Sequence, residues 1–181
     1  MRDTTVLHAL RAWSVRRPDV PALSCDDTSL TWSDLTAAVD RAATRLVAEG
    51  VRPGDRVGVL GGLSLDWAIA ALGVIRTGAV LCPLNERHTA AELERVYRKL
   101  SPVAVVAAEP NREVAQLACK EIDTPPKVLD SETLSVAGSE GALPDPGNDP
   151  SRPVCIIPTS GSTGTPKGVV YTHESLLGAF F

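Results

Sequence analysis

Aromatic side chains are scarce in this 181-residue sequence, only 4% of positions. A core must therefore be built from Ala, Val, Leu and Ile, which the 44% hydrophobic content can supply. No apolar stretch approaches the length of a bilayer crossing, and Met1-Arg2-Asp3-Thr4-Thr5 lacks the apolar centre of a secretory signal. The expectation is a cytoplasmic protein without a membrane span. Cys25, Cys82, Cys119 and Cys155 form no C-x-x-C pair, which excludes the common zinc patterns and a compact disulfide framework. They read as buried, reduced thiols. No basic stripe with interleaved aromatics is present and the net charge is −4, which argues against nucleic acid as a partner. Asp26-Asp27 is turn chemistry rather than a metal pair, and His8 and His88 read as surface residues. Trp13, Trp32 and Trp67 are assigned to the core rather than to a stacking platform.

What the chain does have is concentrated in Thr159-Ser160-Gly161-Ser162-Thr163-Gly164-Thr165-Pro166-Lys167-Gly168. These ten residues hold three glycines, five hydroxyls, one proline and one lysine, with no carboxylate. Glycine lets the backbone approach a ligand, hydroxyls donate hydrogen bonds, and lysine adds a mobile positive charge. The pattern is not a Walker-type P-loop, because Thr165 and Pro166 separate Gly164 from Lys167 and Gly168 replaces the magnesium-binding hydroxyl. Composition alone leaves two readings open, a polyanion site or a surface loop.

The rest alternates between helical and strand patterns. A helix is expected from Thr5 to Arg17, with Val6, Leu7, Leu10, Trp13 and Ser14 near one face, stopped by Pro18. A hairpin follows, from Ala22–Cys25 to Leu30–Trp32. Thr31 and Asp34 open a helix carrying Leu35, Ala38, Val39, Ala42 and Leu46. The strand Arg56–Leu60, a helix Leu65–Arg76 capped by Ser64, and the strand Ala79–Leu84 make a βαβ unit with a parallel sheet. Gly61-Gly62 stands where a dinucleotide fold binds phosphate, but no third glycine follows, so it reads as close packing. Thr89 and Glu92 form a capping box for a helix bearing Leu93, Val96, Tyr97 and Leu100. Further expectations are a strand at Val103–Ala107, a helix Asn111–Ile122, a short strand Lys127–Leu129 and a long surface connection over 130–153. The strand Val154–Ile157 delivers the loop, and Thr172 caps a final helix in which His173 is a helix-start or packing residue. The fold class is a layered α/β domain with a mostly parallel sheet flanked by helices.

The string T-S-G-S-T-G-T-P-K-G, with Val169-Val170 and Thr172-His173 after it, resembles the signature loop of the adenylate-forming superfamily. That group includes acyl-CoA synthetases, the amino-acid-activating domains of peptide synthetases, and luciferases. The resemblance implies the first subdomain of the large N-terminal AMP-binding domain, spanning residues 1–181. It implies that the loop holds the β- and γ-phosphates of ATP while a carboxylate attacks the α-phosphorus. Thr159, Ser160, Gly161, Ser162, Thr163 and Gly164 would wrap the phosphates, and Thr163 or Thr165 could reach them through its side chain. Lys167 would stabilise the leaving pyrophosphate or fix the loop by an ion pair. Magnesium would arrive with ATP, and the substrate would be a small carboxylic acid.

A second string, Pro83-Leu84-Asn85, then Arg87, Thr89, Glu92 and Leu93, resembles acyl- and aryl-CoA synthetases more than amino-acid-activating domains. Thioester formation with CoA, or with a carrier-protein thiol, is therefore the implied second step. The alternatives are a peptide-synthetase fragment and a naturally short, non-catalytic nucleotide- or partner-binding module. The family's second subdomain and its mobile C-terminal domain, with the catalytic lysine, follow the signature loop. Ending at Phe180-Phe181 the chain reads as a truncated ligase, inactive alone and expected to self-associate.

Overall fold

The computed structural model describes residues 4–134, 142–159 and 167–178. In chain order these form α1 (Val6–Arg16), β1 (Pro21–Cys25), β2 (Thr28–Thr31), α2 (Trp32–Ala48), β3 (Arg56–Leu60), α3 (Leu65–Arg76), β4 (Val80–Leu84) and α4 (Ala90–Leu100). They continue with β5 (Ala104–Ala107), α5 (Asn111–Leu117), β6 (Lys127–Asp130), α6 (Ser131–Leu134), β7 (Pro153–Thr159), β8 (Lys167–Thr172) and α7 (His173–Gly178). β1 and β2 pair as an antiparallel hairpin. The main sheet has the order β6-β5-β3-β4-β7-β8, parallel throughout except for β8.

Each inner strand serves two cores, because successive side chains point to opposite faces. Val57 and Val59 of β3, Leu81 of β4, and Ala104 and Val106 of β5 join one cluster with α1, α2 and α3. Leu60, Cys82, Leu84, Val105 and Ala107 face the other way and pack with α4 and α5. Burial on both faces is why these strands read as continuous apolar runs rather than alternating ones. The result is three layers, helices on either side of a parallel sheet.

Local signals place the helices. Thr31 and Asp34 make a full capping box at α2, Thr89 and Glu92 make one at α4, and Ser64 caps α3. In both boxes the Thr hydrogen bonds hold the carboxyl below its ordinary range. α4 buries Leu93, Val96, Tyr97 and Leu100, the stripe expected from its 3.6-residue period. It ends where Ser101 turns left-handed (φ 46) before Pro102.

Several expectations need correction. α5 is shorter than the helix expected over 111–122: after Leu117 the backbone tightens into i→i+3 bonds, Cys119 N to Gln116 O and Lys120 N to Leu117 O. Pro125 and Pro126 follow closely, and Leu117 is left exposed. The 130–153 stretch is not all surface, since α6 buries Ser131 and Leu134. Trp13 is 42% exposed and stacks on Trp32, with centroids 5.8 Å apart and the Arg17 guanidinium over its ring, so it is not a core residue. Only Cys82 and Cys155 are buried; Cys25 and Cys119 are partly exposed.

α2 and α3 pack closely at Gly73. A Cβ built on Gly73 would stand 2.8 Å from Ala42 Cβ and 3.4 Å from the Ala43 backbone nitrogen. Backbone cannot rotate away as a flexible side chain can. Gly73→Val should therefore destabilise the fold by about 3 kcal/mol or more, the upper end of overpacking costs. Urea unfolding followed by far-ultraviolet circular dichroism checks this, and an unchanged midpoint would contradict the packing argument.

Candidate functional site

β7 and β8 form an antiparallel hairpin whose register runs from Cys155↔Tyr171 through Ile157↔Val169 to Thr159↔Lys167. At the open end Thr159 Oγ1 donates to the Lys167 carbonyl at 3.4 Å. The signature loop is thus strung between two residues that are paired across the ladder. Thr159 and Lys167, both exposed, are the two expected site residues that the structure places. Ser160, Gly161, Ser162, Thr163, Gly164 and Thr165 lie outside the described residues.

The direction of β7 fixes where this mouth opens. β7 runs parallel to β4, so Thr159 lies at the carboxyl edge of the parallel strands. That edge is where open α/β sheets bind their ligands, because strands end there and loops diverge. Neither β7 (PVCIIPT) nor β8 (KGVVYT) contains a carboxylate. An arriving anion therefore meets hydroxyl and ammonium groups on the stem.

The same edge carries a second crevice, of about 350 Å³, lined by Gly61, Gly62, Trp67, Glu86, Glu109 and Ser131 among others. Its chemistry is opposite. Glu86 lies so close to Gly62 that a Cβ there would be 2.5 Å from Glu86 Oε2. Close approach is what Gly62 provides, in line with the reading of this pair as close packing.

The acyl-CoA-ligase-like string has local work to do. Asn85 Oδ1 accepts from Arg87 N at 2.9 Å, the Asn85 carbonyl accepts from His88 N at 3.1 Å, and Thr89 and Glu92 close the α4 capping box. Most of its identifying residues thus start a helix. Arg87 in the same string is exposed.

Sequence reasoning missed the supports behind the hairpin. Arg76, 8% exposed, donates through Nε to Asp40 Oδ1 at 2.8 Å and through Nη1 to the Pro144 carbonyl at 3.0 Å. Arg152 Nη1 donates to the Pro146 carbonyl. Thr5 Oγ1 and Asn148 Oδ1 are 3.2 Å apart. Residues 144–152 therefore form a strap holding α1, α3 and the start of β7 together. An arginine in the last turn of an apolar helix was the one available signal. His173 is 1% exposed at the start of α7, in accord with its reading as a helix-start and packing residue. Burial pushes the Cys155 thiol on β7 up to about 11 and the Cys82 thiol up to about 12. Neither acts as a thiolate near neutral pH.

The family whose description is AMP-binding enzyme matches residues 10–181. The chain belongs to the AMP-binding, adenylate-forming family. It is 35% identical over 179 residues to phosphinothricin tripeptide synthetase PhsC of Streptomyces viridochromogenes, covering 97% of this chain and 16% of that protein. It is 32% identical over 157 residues to long-chain-fatty-acid–CoA ligase FadD13 of Mycobacterium tuberculosis, covering 83% of this chain and 31% of that one. Among solved structures, Mycobacterium smegmatis MbtA superposes with a TM-score of 0.87 at 30% identity, over 96% of this chain and 34% of the other. The chain therefore corresponds to an N-terminal portion of much longer relatives. The six-stranded sheet with its flanking helices is the family's N-terminal architecture.

Gly168 closes the mouth of the hairpin. A Cβ on it would meet Ile156 Cγ2 at 2.8 Å and Leu100 Cδ2 at 3.7 Å. Gly168→Val should loosen β8 from β7 at a cost of about 1–3 kcal/mol. The check is hydrogen exchange: faster exchange confined to β7 and β8 is expected, and uniform exchange across the sheet would contradict it.

Proposed function

We propose that this chain is the phosphate-binding N-terminal part of an ATP-dependent ligase that activates a small carboxylic acid as an acyl-adenylate and passes the acyl group to a thiol. The observation that carries the reading is the family's signature loop, strung across the Thr159–Lys167 pair at the carboxyl edge of the sheet. The carboxylate oxygen bonds to the α-phosphorus of ATP and pyrophosphate leaves; a thiol sulfur then bonds to the acyl carbon and AMP leaves. This chain's part is to hold the departing pyrophosphate. The stem suits that task, with an ammonium group at one side of the mouth, a hydroxyl at the other and no carboxylate between. Magnesium travels with ATP.

Coenzyme A is the thiol that the Pro83–Leu93 string favours. Amino-acid activation, with a carrier-protein thiol as acceptor, is the second reading, supported by the similarity to the tripeptide synthetase along almost the whole chain. ATP–pyrophosphate exchange, run with the protein as its host produces it against fatty, aryl and amino acids, separates the two. Lys167→Ala should lower exchange by roughly 10²–10³-fold, the usual effect of removing a pre-organised donor. An unchanged rate would remove Lys167 from the chemistry. The 181-residue chain alone is expected to give no exchange, and measurable turnover would contradict that.

The isolated chain should also self-associate. β8 is a terminal strand among the described residues, and Val169 and Val170 on it are 44% and 55% exposed, beside Ile157 at 37%. Sedimentation velocity over a concentration series should show growing species. A single monomer at the highest concentration would count against it.

A further inference from the structure

The imidazole of His173 sits where three parts of the chain meet. Its backbone N–H donates to the Arg152 carbonyl at 3.2 Å, which fastens the end of β8 to the residue before β7. Its Nδ1 accepts from the Val6 N–H, at 3.4 Å, in the first turn of α1. The neighbouring Glu174 N–H donates to the Pro150 carbonyl at 2.9 Å, and the Thr5 hydroxyl next to Val6 lies against Asn148. His173 thus ties the start of α1 through its side chain and the residue before β7 through its backbone, at the end of the strand that leaves the signature loop. At 1% exposure it has no water to replace a lost partner.

We propose that His173 is a positioning residue for the β7–β8 hairpin, acting only as neutral imidazole, and that its protonation releases the end of β8 and with it the geometry of the Thr159–Lys167 mouth. The proposal rests on the reading of that mouth as the phosphate site. Nδ1 must keep its lone pair to accept from Val6, so a proton there turns an acceptor into a donor facing a donor. The charged groups facing the ring are Arg152, which opposes protonation, and Asp149, which favours it; both lie on the strap. Glu174 follows on its own helix and is exposed. Burial is the largest influence and, with Arg152, keeps the imidazole below its ordinary value of 6.5. The unfolded chain therefore takes up this proton more readily than the folded one. The clasp is complete above about pH 6.5 and weakens as the pH falls below it. Asp149 is held below its ordinary value by its Ser151 hydrogen bonds, so it stays ionised through this window.

The experiment follows amide exchange of β8 in the 181-residue chain from about pH 7.5 to 5.5, corrected for intrinsic exchange. Protection of β8 should fall by about tenfold per pH unit below the onset, the slope of one linked proton. His173→Asn keeps a short acceptor that does not titrate, and its profile should be flat. His173→Leu should be poorly protected at every pH. A flat wild-type profile, or a His173→Asn profile that follows the wild type, overturns the proposal. Added ATP tests the phosphate reading separately. If Thr159 and Lys167 resonances ignore ATP while the pH dependence stands, the phosphate site fails and the clasp survives.

Discussion

The sheet is squeezed between two apolar layers, and β3 at its centre feels this most. Val57 and Val59 are committed to the α1-α2-α3 side, while Leu60 is committed to the side of α4 and α5. At Gly58 there is no room for a side chain: a Cβ would meet Leu84 Cδ1 at 2.8 Å and Val105 Cγ2 at 3.1 Å. A strand closed on both faces has no room for a polar side chain without a partner. Chemistry is pushed to the ends of the strands, and at the carboxyl ends the loops diverge. The location of the hairpin mouth thus follows from the burial of the sheet.

Much of this was legible in the sequence because the signals were local. β3 and α3 occur with the boundaries expected, since Ser64 caps a helix and Gly61-Gly62 interrupts a strand within a few residues. The α4 stripe was legible because period and capping box agree. What was not legible is long-range. Arg76 stands in the last turn of α3, where a cation is ordinary, yet it is buried and bound to a carbonyl 68 positions away. Trp13 had the spacing of a core residue, but Leu7 and Leu10 already fill the contact of α1, leaving the indole to lie on Trp32 at the surface. At the site itself, the loop's composition left a polyanion site and a surface loop both open, and only the ordered string favoured the first. The pairing of Thr159 with Lys167 depends on β8 folding back, which composition does not encode.

Residues that identify a family and residues that hold its fold overlap in this chain. Asn85, Thr89 and Glu92 belong to the string that resembles CoA ligases, yet each forms a hydrogen bond that turns β4 into α4. Any relative with the same turn needs similar residues whatever acid it activates. Such a string reports the backbone path as well as the branch of the family, and a shared backbone path is one reason why one chain can match both a peptide synthetase and a fatty-acid ligase.

The carboxyl edge also sorts charge along its length. In the order β5-β3-β4-β7, carboxylates gather at the β5 and β3 end, and hydroxyl and ammonium groups stand at the β7 end. Neighbouring strands are about 4.8 Å apart, so β3 and β7 are separated by roughly 10 Å. That is close to one Debye length at ordinary salt, and the repulsion of a phosphate by the distant carboxylates is therefore weak. Glu86 is the exception, because it follows β4, the strand next to β7. Its carboxylate leans over Gly62, on the β3 side of β4. Turned that way, the carboxylate that follows β4 points away from the hairpin, and the polar groups left at the described part of the mouth are the Thr159 hydroxyl and the Lys167 ammonium.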